Sequence, residues 1–328
     1  MKAITYQATT DKFLELDLPV PKVKNEFDVL IKVHSVGLNP VDAKVNHWFS
    51  DVDNVDDIFI GGLDVAGEVV SIGTAVKHWK VGDKVLYHGD MFRSSGGFAE
   101  YAIQDSRVMI PHPNVPSELA AAVPCAGWTA YRALVDKLCI EKHNSIVILG
   151  GSGGVGSFAI QIAKYFGVKT IITTCSSKNH EYVIKLGATH AIDYKDSNIL
   201  EKIMQITDQE GVDVALDCVG KDYDTLAAST LRYEGQMVEL VKTVSPKDYL
   251  NSFSKGLSFH QLSLGSGHRY GNYGKQTLVK AGIAVSKLLE QGELRVSKLK
   301  IVDFHNINEE LISIRSERTV GKVVAKLI

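Results

Sequence analysis

The spacing of hydrophobic and polar positions changes about a third of the way along the chain. Residues 1–113 contain short alternating or aliphatic runs that are separated by Gly, Pro, Asn and Asp turns. This spacing is typical of β strands joined by tight turns. It predicts a mostly-β region with strands near residues 1–6, 29–36, 63–72, 84–87 and 98–103.

After this region, aliphatic runs alternate with helical patterns. Strands are expected near residues 145–149, 168–174, 190–193, 212–218, 236–241 and 259–264. Such alternation predicts an α/β domain, a doubly wound parallel six-stranded sheet with helices on both faces. A later helix near 277–290 and strands near 300–304 and 322–327 come too late for that sheet, so we expect them to return to the first domain.

A glycine-rich segment follows the first strand of the alternating region directly. It satisfies the G-x-G-x-x-G fingerprint of dinucleotide-binding proteins and consists of Gly151, Ser152, Gly153, Gly154, Val155 and Gly156. Glycines there permit a tight turn, a close approach to a pyrophosphate and close helix packing. The amides at the start of the next helix face the anion. The segment therefore predicts a dinucleotide site.

Composition narrows the function classes. The 328 residues suggest two domains, and the formal net charge of −2 offers no basic surface for nucleic acid. The four cysteines form no C-x-x-C pair, so neither a disulfide framework nor a zinc knuckle is indicated. No apolar signal core or membrane span is evident, and we expect a cytoplasmic protein without a membrane partner.

Several further motifs resemble the medium-chain dehydrogenase/reductase superfamily, in its zinc-free quinone oxidoreductase branch, the relatives of zeta-crystallin. The matching segments are GLNPVDAKV (37–45), GLDVAGEVVSIG (62–73), VGDKV (81–85), GGFAEY (96–101), AAAVPCAGWTAYRAL (120–134), GGSGGVG (150–156), LGATHAIDY (186–194) and GKVV (321–324). The resemblance implies a GroES-like catalytic domain built from residues 1–120 and 269–328. It also implies a Rossmann NADP-binding domain at 121–268 and a homodimer.

The same resemblance raises the question of zinc, because many members of the superfamily are zinc alcohol dehydrogenases. Their first metal cysteine falls at Asn39 here, and their His-Glu pair falls near Leu63 and Asp64. Cys125 matches their other catalytic cysteine, but one thiolate does not make a three-ligand site. The lobe for a structural zinc is reduced to residues 89–97, which contain no cysteine. We expect no functional metal.

The segment after the second strand of the parallel sheet favours NADPH. It reads Ser176, Ser177, Lys178, and no carboxylate occurs until Glu181. Hydroxyl and ammonium groups suit a 2′-phosphate, whereas an NAD-specific fold places a carboxylate there. The resemblance adds Tyr194 as a phosphate contact. The alternative is a helix cap at Ser176 or Ser177 followed by a solvated lysine.

The rest of the cofactor site is implied by the resemblance and by the tendency of parallel sheets to bind ligands at the carboxyl ends of their strands. Ala126 and Thr129 match positions against the nicotinamide. The segments after later strands supply Val219, Gly220, Leu240, Val241, Leu264 and Gly265.

Without a metal, the hydride acceptor is expected to be a small molecule that is already activated, such as a quinone or an enone. The resemblance places Asn39 and Asp42 in the substrate cleft. Asn39 would donate a hydrogen bond to the substrate or a bridging water. The alternative is an Asn-Pro turn with an Asp cap, which is a common structural use of these residues.

Three other functions stay open. An enoyl-thioester reductase of the same superfamily would carry a tyrosine a few residues after Asp42, but residues 43–49 contain none. An alcohol or aldehyde reductase is the second. The third belongs to another class, a non-catalytic NADPH-binding sensor or structural protein, which turnover with a quinone would exclude.

Overall fold

The computed structural model describes residues 1–52, 58–316 and 319–327. The strands within these residues are β1 (Lys2–Gln7), β2 (Lys12–Asp17), β3 (Asp28–Leu38), β4 (Phe59–Ile60), β5 (Asp64–Ile72), β6 (Lys84–His88), β7 (Tyr101–Asp105), β8 (Ile110–Pro111), β9 (Ser145–Leu149), β10 (Thr170–Cys175), β11 (His190–Asp193), β12 (Val212–Asp217), β13 (Leu231–Glu239), β14 (Ser258–Gln261), β15 (Leu299–Asp303) and β16 (Lys322–Lys326). The α helices are α1 (Pro40–Ala43), α2 (Ser117–Ala121), α3 (Thr129–Tyr131), α4 (Gly154–Tyr165), α5 (His180–Leu186), α6 (Ile199–Ile206), α7 (Tyr223–Thr230), α8 (Gly271–Glu290) and α9 (Ile307–Arg315).

The chain divides into two compact units. The first unit comprises Met1–Trp128, Leu264–Gly292 and Val296–Ile328, and the second comprises Thr129–Ser263 and Glu293–Arg295. None of the helices in the described part of the chain combines the length and the apolar character that a membrane crossing requires.

The first unit is built mainly from antiparallel strands. Its larger sheet has the order β15-β16-β3-β5-β6-β8, with β7 also paired to β3, and a smaller sheet has the order β2-β1-β4. β3 and β5 form its centre, and their aliphatic side chains Val29, Ile31, Val33, Val65 and Val69 are fully buried. β16, near the chain end, pairs with β3 near the beginning. This pairing is how the two chain ends share one sheet.

The second unit contains a six-stranded parallel sheet of order β11-β10-β9-β12-β13-β14. In order of sequence this is 3-2-1-4-5-6, the doubly wound Rossmann arrangement, which reverses direction between β9 and β12. The predicted fold class is confirmed. The strand ends shift from the expected ones, most of all where β13 begins already at Leu231 and where β14 ends at Gln261.

Candidate cofactor and active site

The glycine segment forms the turn between β9 and α4. Gly153 precedes the first residue of α4, a helix of 12 residues. A Cβ at Gly151 would lie 1.9 Å from the Thr173 hydroxyl oxygen, and one at Gly156 would lie 2.4 Å from the carbonyl oxygen of Gly150. Side chains at these two positions are therefore excluded, as close packing of a turn, helix and strand requires. The free amides at the start of α4 fit a pyrophosphate.

Asn179 connects this turn to the end of the neighbouring strand, and the sequence analysis did not identify it. Its side-chain amide donates to the hydroxyl of Ser176 at 3.0 Å and to that of Ser152 at 3.4 Å. The side chain is buried although asparagine is usually exposed. An asparagine next to the Ser176–Lys178 segment was the only available signal.

The residues predicted for the 2′-phosphate follow β10 and β11. Ser176 is half-buried, and Ser177 and Lys178 are exposed on a single 3₁₀ turn. Tyr194 follows β11, and its amide donates to the carbonyl of Cys175 at the end of β10. The structure therefore brings these four predicted residues to one edge of the sheet.

A second cation lies at this edge. The Lys195 ammonium is 6.0 Å from the ring centroid of Tyr194. The carboxylate of Asp193 accepts the amides of Lys195 and Ser177 at 3.0 and 3.1 Å. The amide of Lys195 is the main cause that lowers the pKa of Asp193. Lys195, which the sequence analysis did not identify, adds positive charge beside Lys178.

The segments after β12 and β13 contact each other. Gly220 has a φ of +73°, and a Cβ there would lie 2.7 Å from a methyl carbon of Val241. Val241 is 61% exposed, whereas Leu240 and Val219 are half-buried. These four predicted cofactor residues therefore lie together.

Thr129 is buried in the second unit. Ala126, Leu264 and Gly265 belong to the first unit. Leu264 lies beyond the end of β14, at the start of a 3₁₀ turn, rather than at a strand end as expected.

The first unit contains a buried polar network around Asp64. Its carboxylate accepts the amide of Cys125 at 2.9 and 3.0 Å, the side-chain amide of Asn39 at 3.0 Å and Nδ1 of His88 at 2.7 Å. The Lys322 ammonium lies 3.8 Å from the same carboxylate and donates to the Asn39 side-chain oxygen. Buried charges are stable when they are paired and hydrogen-bonded in this way.

Lys322 is the residue of this network that the sequence analysis missed. Only 4% of it is exposed, although lysine is almost never fully buried unless it is paired. It lies within GKVV, a segment whose apolar neighbours on β16 indicate a buried strand. That position was the available signal for a buried ammonium.

Asp42 forms a further buried hydrogen bond in the same unit. Its carboxylate accepts the backbone amide of Asn39 at 2.9 Å and so caps α1, as the structural alternative for these residues requires. Burial, and secondarily the negative charge of Asp64, raise the pKa of Asp42 to about 7. Asn39 and Asp42 are both buried, and both are tied into the network.

A small cavity of about 20 Å³ adjoins Asp42. Trp48 and Tyr87 also line it, and the buried Tyr87 hydroxyl has no hydrogen-bond partner among the described residues. This volume is sufficient for about one water molecule and too small for a ring compound.

Comparison with known proteins identifies the family. The family described as "Alcohol dehydrogenase GroES-like domain" matches residues 25–114, and "Zinc-binding dehydrogenase" matches residues 154–279. The chain is 30% identical over 258 residues to a quinone oxidoreductase of Sus scrofa, which covers 76% of this chain and 74% of that protein. The chain belongs to the quinone oxidoreductase branch of the medium-chain dehydrogenase/reductase superfamily.

Two further relatives of this quinone-oxidoreductase-like enzyme are informative. It is 35% identical over 243 residues to an NADPH-dependent alkenal/one oxidoreductase of Arabidopsis thaliana, covering 72% of this chain and 60% of that protein. A solved quinone oxidoreductase from Coxiella burnetii has a TM-score of 0.84 at 27% identity, and the match covers 100% of this chain and 99% of that one. Family membership and the glycine turn together indicate an oxidoreductase with a nicotinamide cofactor.

The zinc in the family description can be tested against the residues of this quinone-oxidoreductase-like enzyme. Potential ligand atoms of Asp64, His88 and Cys125 lie within 4.8 Å of one another. However, Nδ1 of His88 already contacts the Asp64 carboxylate, and the Lys322 ammonium lies beside it. A Zn²⁺ ion would have to replace this contact and lie next to a second positive charge, which repels it. This donor set does not fit a catalytic zinc.

Proposed function

We propose that this enzyme uses NADPH to reduce quinones or enones, and that it does so without a catalytic metal. The observation that carries the proposal is the set of side chains after β10. Lys178, Ser176 and Ser177 occupy the segment where an NAD-specific fold places a carboxylate. A dianionic 2′-phosphate would form charge-assisted hydrogen bonds with these groups.

The relatives support this choice of cofactor and acceptor. The Arabidopsis thaliana relative is described as NADPH-dependent and as acting on alkenals and alkenones, and the Sus scrofa relative is described as a quinone oxidoreductase. Both acceptor classes carry a carbonyl that withdraws electrons from the carbon or oxygen to be reduced. Such acceptors need no Lewis acid to be reduced by a hydride.

In this proposal each group has a defined task. When bound, the cofactor supplies a hydride, and solvent supplies the accompanying proton. The amides at the start of α4 bind the pyrophosphate, and Lys178 and Tyr194 bind the 2′-phosphate. Asn39 donates one side-chain hydrogen to Asp64, and we assign its other amide hydrogen to the substrate or a bridging water. Asp42 holds the backbone of Asn39.

Fluorescence titration with NADPH and NADH tests the cofactor assignment. In Lys178→Ala, the loss of a charge-assisted hydrogen bond is expected to weaken NADPH binding by about 1–3 kcal/mol and to leave NADH binding unchanged. Lys169→Ala is a matched control, because Lys169 is an exposed lysine just before the other end of β10. Equal affinity for both cofactors, insensitive to Lys178, would contradict the assignment.

Turnover separates the proposed enzyme from the alternatives. NADPH oxidation is to be followed with a quinone, an enone, a 2-enoyl thioester and an aldehyde. We expect turnover with the first two and little with the others. Binding of NADPH without turnover of any acceptor would favour the sensor, and a preference for the thioester would favour the enoyl reductase.

The homodimer and the cytoplasmic location also belong to the proposal. β14 is an edge strand of the six-stranded sheet, and an edge strand offers free backbone groups to a second copy. Light scattering of the purified protein is expected to give twice the chain mass, and a monomer would contradict this.

A further inference from the structure

Two acidic side chains lie side by side in the interior of the second unit. Asp217 ends β12 and Glu239 ends β13, and the register of the two parallel strands pairs them directly. Their exposures are 0% and 1%, and their paired positions on neighbouring strands place the two side chains on the same face of the sheet. Two carboxylates have only acceptors, so a hydrogen bond between them requires a proton. We call these two residues the carboxyl pair.

The Asp217 carboxyl holds the segment that follows β12. One of its oxygens accepts the amide of Val219 at 2.8 Å and the amide of Gly220 at 3.3 Å. Val219 and Gly220 are two of the residues that the sequence predicts as cofactor contacts. The conformation of this segment therefore depends on where the Asp217 carboxyl points.

The Glu239 carboxyl does the same for the segment that follows β13. Its Oε1 accepts the amides of Val241 and Lys242 at 2.7 and 2.8 Å. As long as both groups of the pair are carboxylates, the Oε2 atom of Glu239 is buried without a hydrogen-bond partner. A proton between the two carboxyls gives this oxygen the partner it lacks, and burying it unpaired would be costly.

The side chains of Lys242 and Tyr249, which lie near the carboxyl pair in sequence, are directed to a third carboxylate. The Lys242 ammonium lies 3.6 Å from Asp224 of α7, and the Tyr249 hydroxyl donates to Asp224 at 2.9 Å. Cys218, the residue that directly follows β12, is a neutral thiol whose pKa is raised by burial. Burial, and then the contact with Glu239, raise the pKa of Asp217 to about 8.

We propose that the carboxyl pair shares one proton. This proton holds the segments after β12 and β13 in the geometry that binds the cofactor. Its loss in alkaline solution weakens cofactor binding. The second part rests on the proposed function, because it takes Val219, Gly220 and Val241 as cofactor contacts. Asp217 and Glu239 are thus positioning residues that act through backbone amides.

The test measures the NADPH dissociation constant between about pH 6 and pH 10. In the wild type we expect it to rise above about pH 8, by up to about tenfold per pH unit. In Glu239→Gln the pair carries one negative charge at every pH, because glutamine has no proton to lose. Its amide nitrogen can donate to Asp217, and its amide oxygen can still accept from Val241 and Lys242. Its dissociation constant is expected to stay constant through this range.

A matched control is Asp213→Asn. Asp213 lies near the opposite end of β12 and also accepts two backbone amides, those of Asn144 and Ser145. This variant is expected to keep the wild-type pH profile. If Glu239→Gln does not fold, Asp217→Asn replaces the other residue of the pair, and its NADPH dissociation constant should likewise stay constant with pH. Parallel profiles in the wild type and both pair variants, or a flat wild-type profile, would overturn the proposal.

A second measurement needs no cofactor. The folded pair holds a proton that the unfolded chain releases near ordinary carboxyl values, so folded protein binds more protons between about pH 4 and pH 8. Stability is therefore lost as the pH rises through this window, and the urea midpoint should fall more in the wild type than in Glu239→Gln. Equal falls would overturn the shared proton. Absence of NADPH binding at every pH would overturn the proposed function and the positioning role, whereas the urea comparison would still decide on the proton.

Discussion

Asp64, the first residue of β5 in the first unit, and Asp217, the last residue of β12 in the second, are both fully buried, yet their carboxyl groups are compensated in different ways. Asp64 has the ammonium of Lys322 beside it, besides several hydrogen-bond donors. Asp217 has backbone amides and a second carboxyl group. The first carboxyl group thus has a cation beside it, whereas in our proposal the second is compensated by a shared proton, which alkaline solution removes.

The largest effect is expected from removing the cation of the first arrangement. Lys322→Met leaves Asp64 as a buried charge without its counter-ion, and breaking a buried pair in this way costs about 3–5 kcal/mol. Urea unfolding measures the loss. Lys326→Met is the matched control, because Lys326 is on the same strand but forms a half-exposed pair with Glu118, which contributes about 0–1 kcal/mol. Equal losses in the two variants would contradict this account.

The next effect compares the two aspartates directly. Asp64→Asn leaves the Lys322 ammonium buried without its charge partner, and a loss of about 3 kcal/mol is expected. Asp217→Asn should cost little at about pH 7, since its amide donates to Glu239 as the shared proton does in the wild type at that pH. Unfolding of both variants at about pH 7 measures the difference. A larger loss in Asp217→Asn than in Asp64→Asn would reverse the comparison.

Asp42 tests whether the pH dependence of stability from a buried carboxyl group is set by a neighbouring cation or by the unit in which the group lies. It is in the same unit as Asp64, but its carboxylate accepts the backbone amide of Asn39, and burial and the charge of Asp64 raise its pKa to about 7. Because the folded pKa lies above the unfolded one, folded protein binds the extra proton, and stability falls between about pH 4 and pH 7.

Unfolding titrations of Asp42→Asn measure this effect. The amide oxygen of the variant can still accept from Asn39, so the variant keeps the cap but has no proton to lose. Its stability should decline less than that of the wild type, by up to about 1.4 kcal/mol per pH unit within this window. An unchanged pH profile would show that Asp42 does not titrate there.

The smallest effect is expected from removing the hydrogen bond between His88 and Asp64. His88→Gln removes or lengthens the 2.7 Å contact with Asp64 while the Lys322 ammonium remains. We expect a loss of about 1–2 kcal/mol, which is less than for Lys322→Met. The free energy of unfolding at neutral pH is the measurement, and a loss above that of Lys322→Met would make the hydrogen bond more important than the charge.

The fold was predictable where local patterns determine it. The glycine turn, the aliphatic strands and the helices between them carry local signals, and they predict the parallel sheet of the second unit. β2 and α9 were not predicted. β2 is half-exposed and reads KFLELD without a strong pattern, and α9 has polar residues on much of its surface.

The buried polar groups could not be predicted from the sequence, because their partners are distant along the chain. Lys322 contacts Asn39 and Asp64 only because β16 pairs with β3. Glu239 faces Asp217 only through the register of β12 and β13. A single charged residue inside an apolar strand indicates a buried charge, but the strand pairing determines whether a cation or a proton compensates it.

The most direct test of the account is turnover by protein freed of metal. The purified enzyme is to be dialysed against a chelator, its zinc content measured by mass spectrometry, and its NADPH oxidation followed with a quinone and an enone. The account predicts that turnover is retained when zinc is far below one atom per chain and that added zinc does not raise it. Activity that disappears with the metal and returns in proportion to added zinc would contradict it.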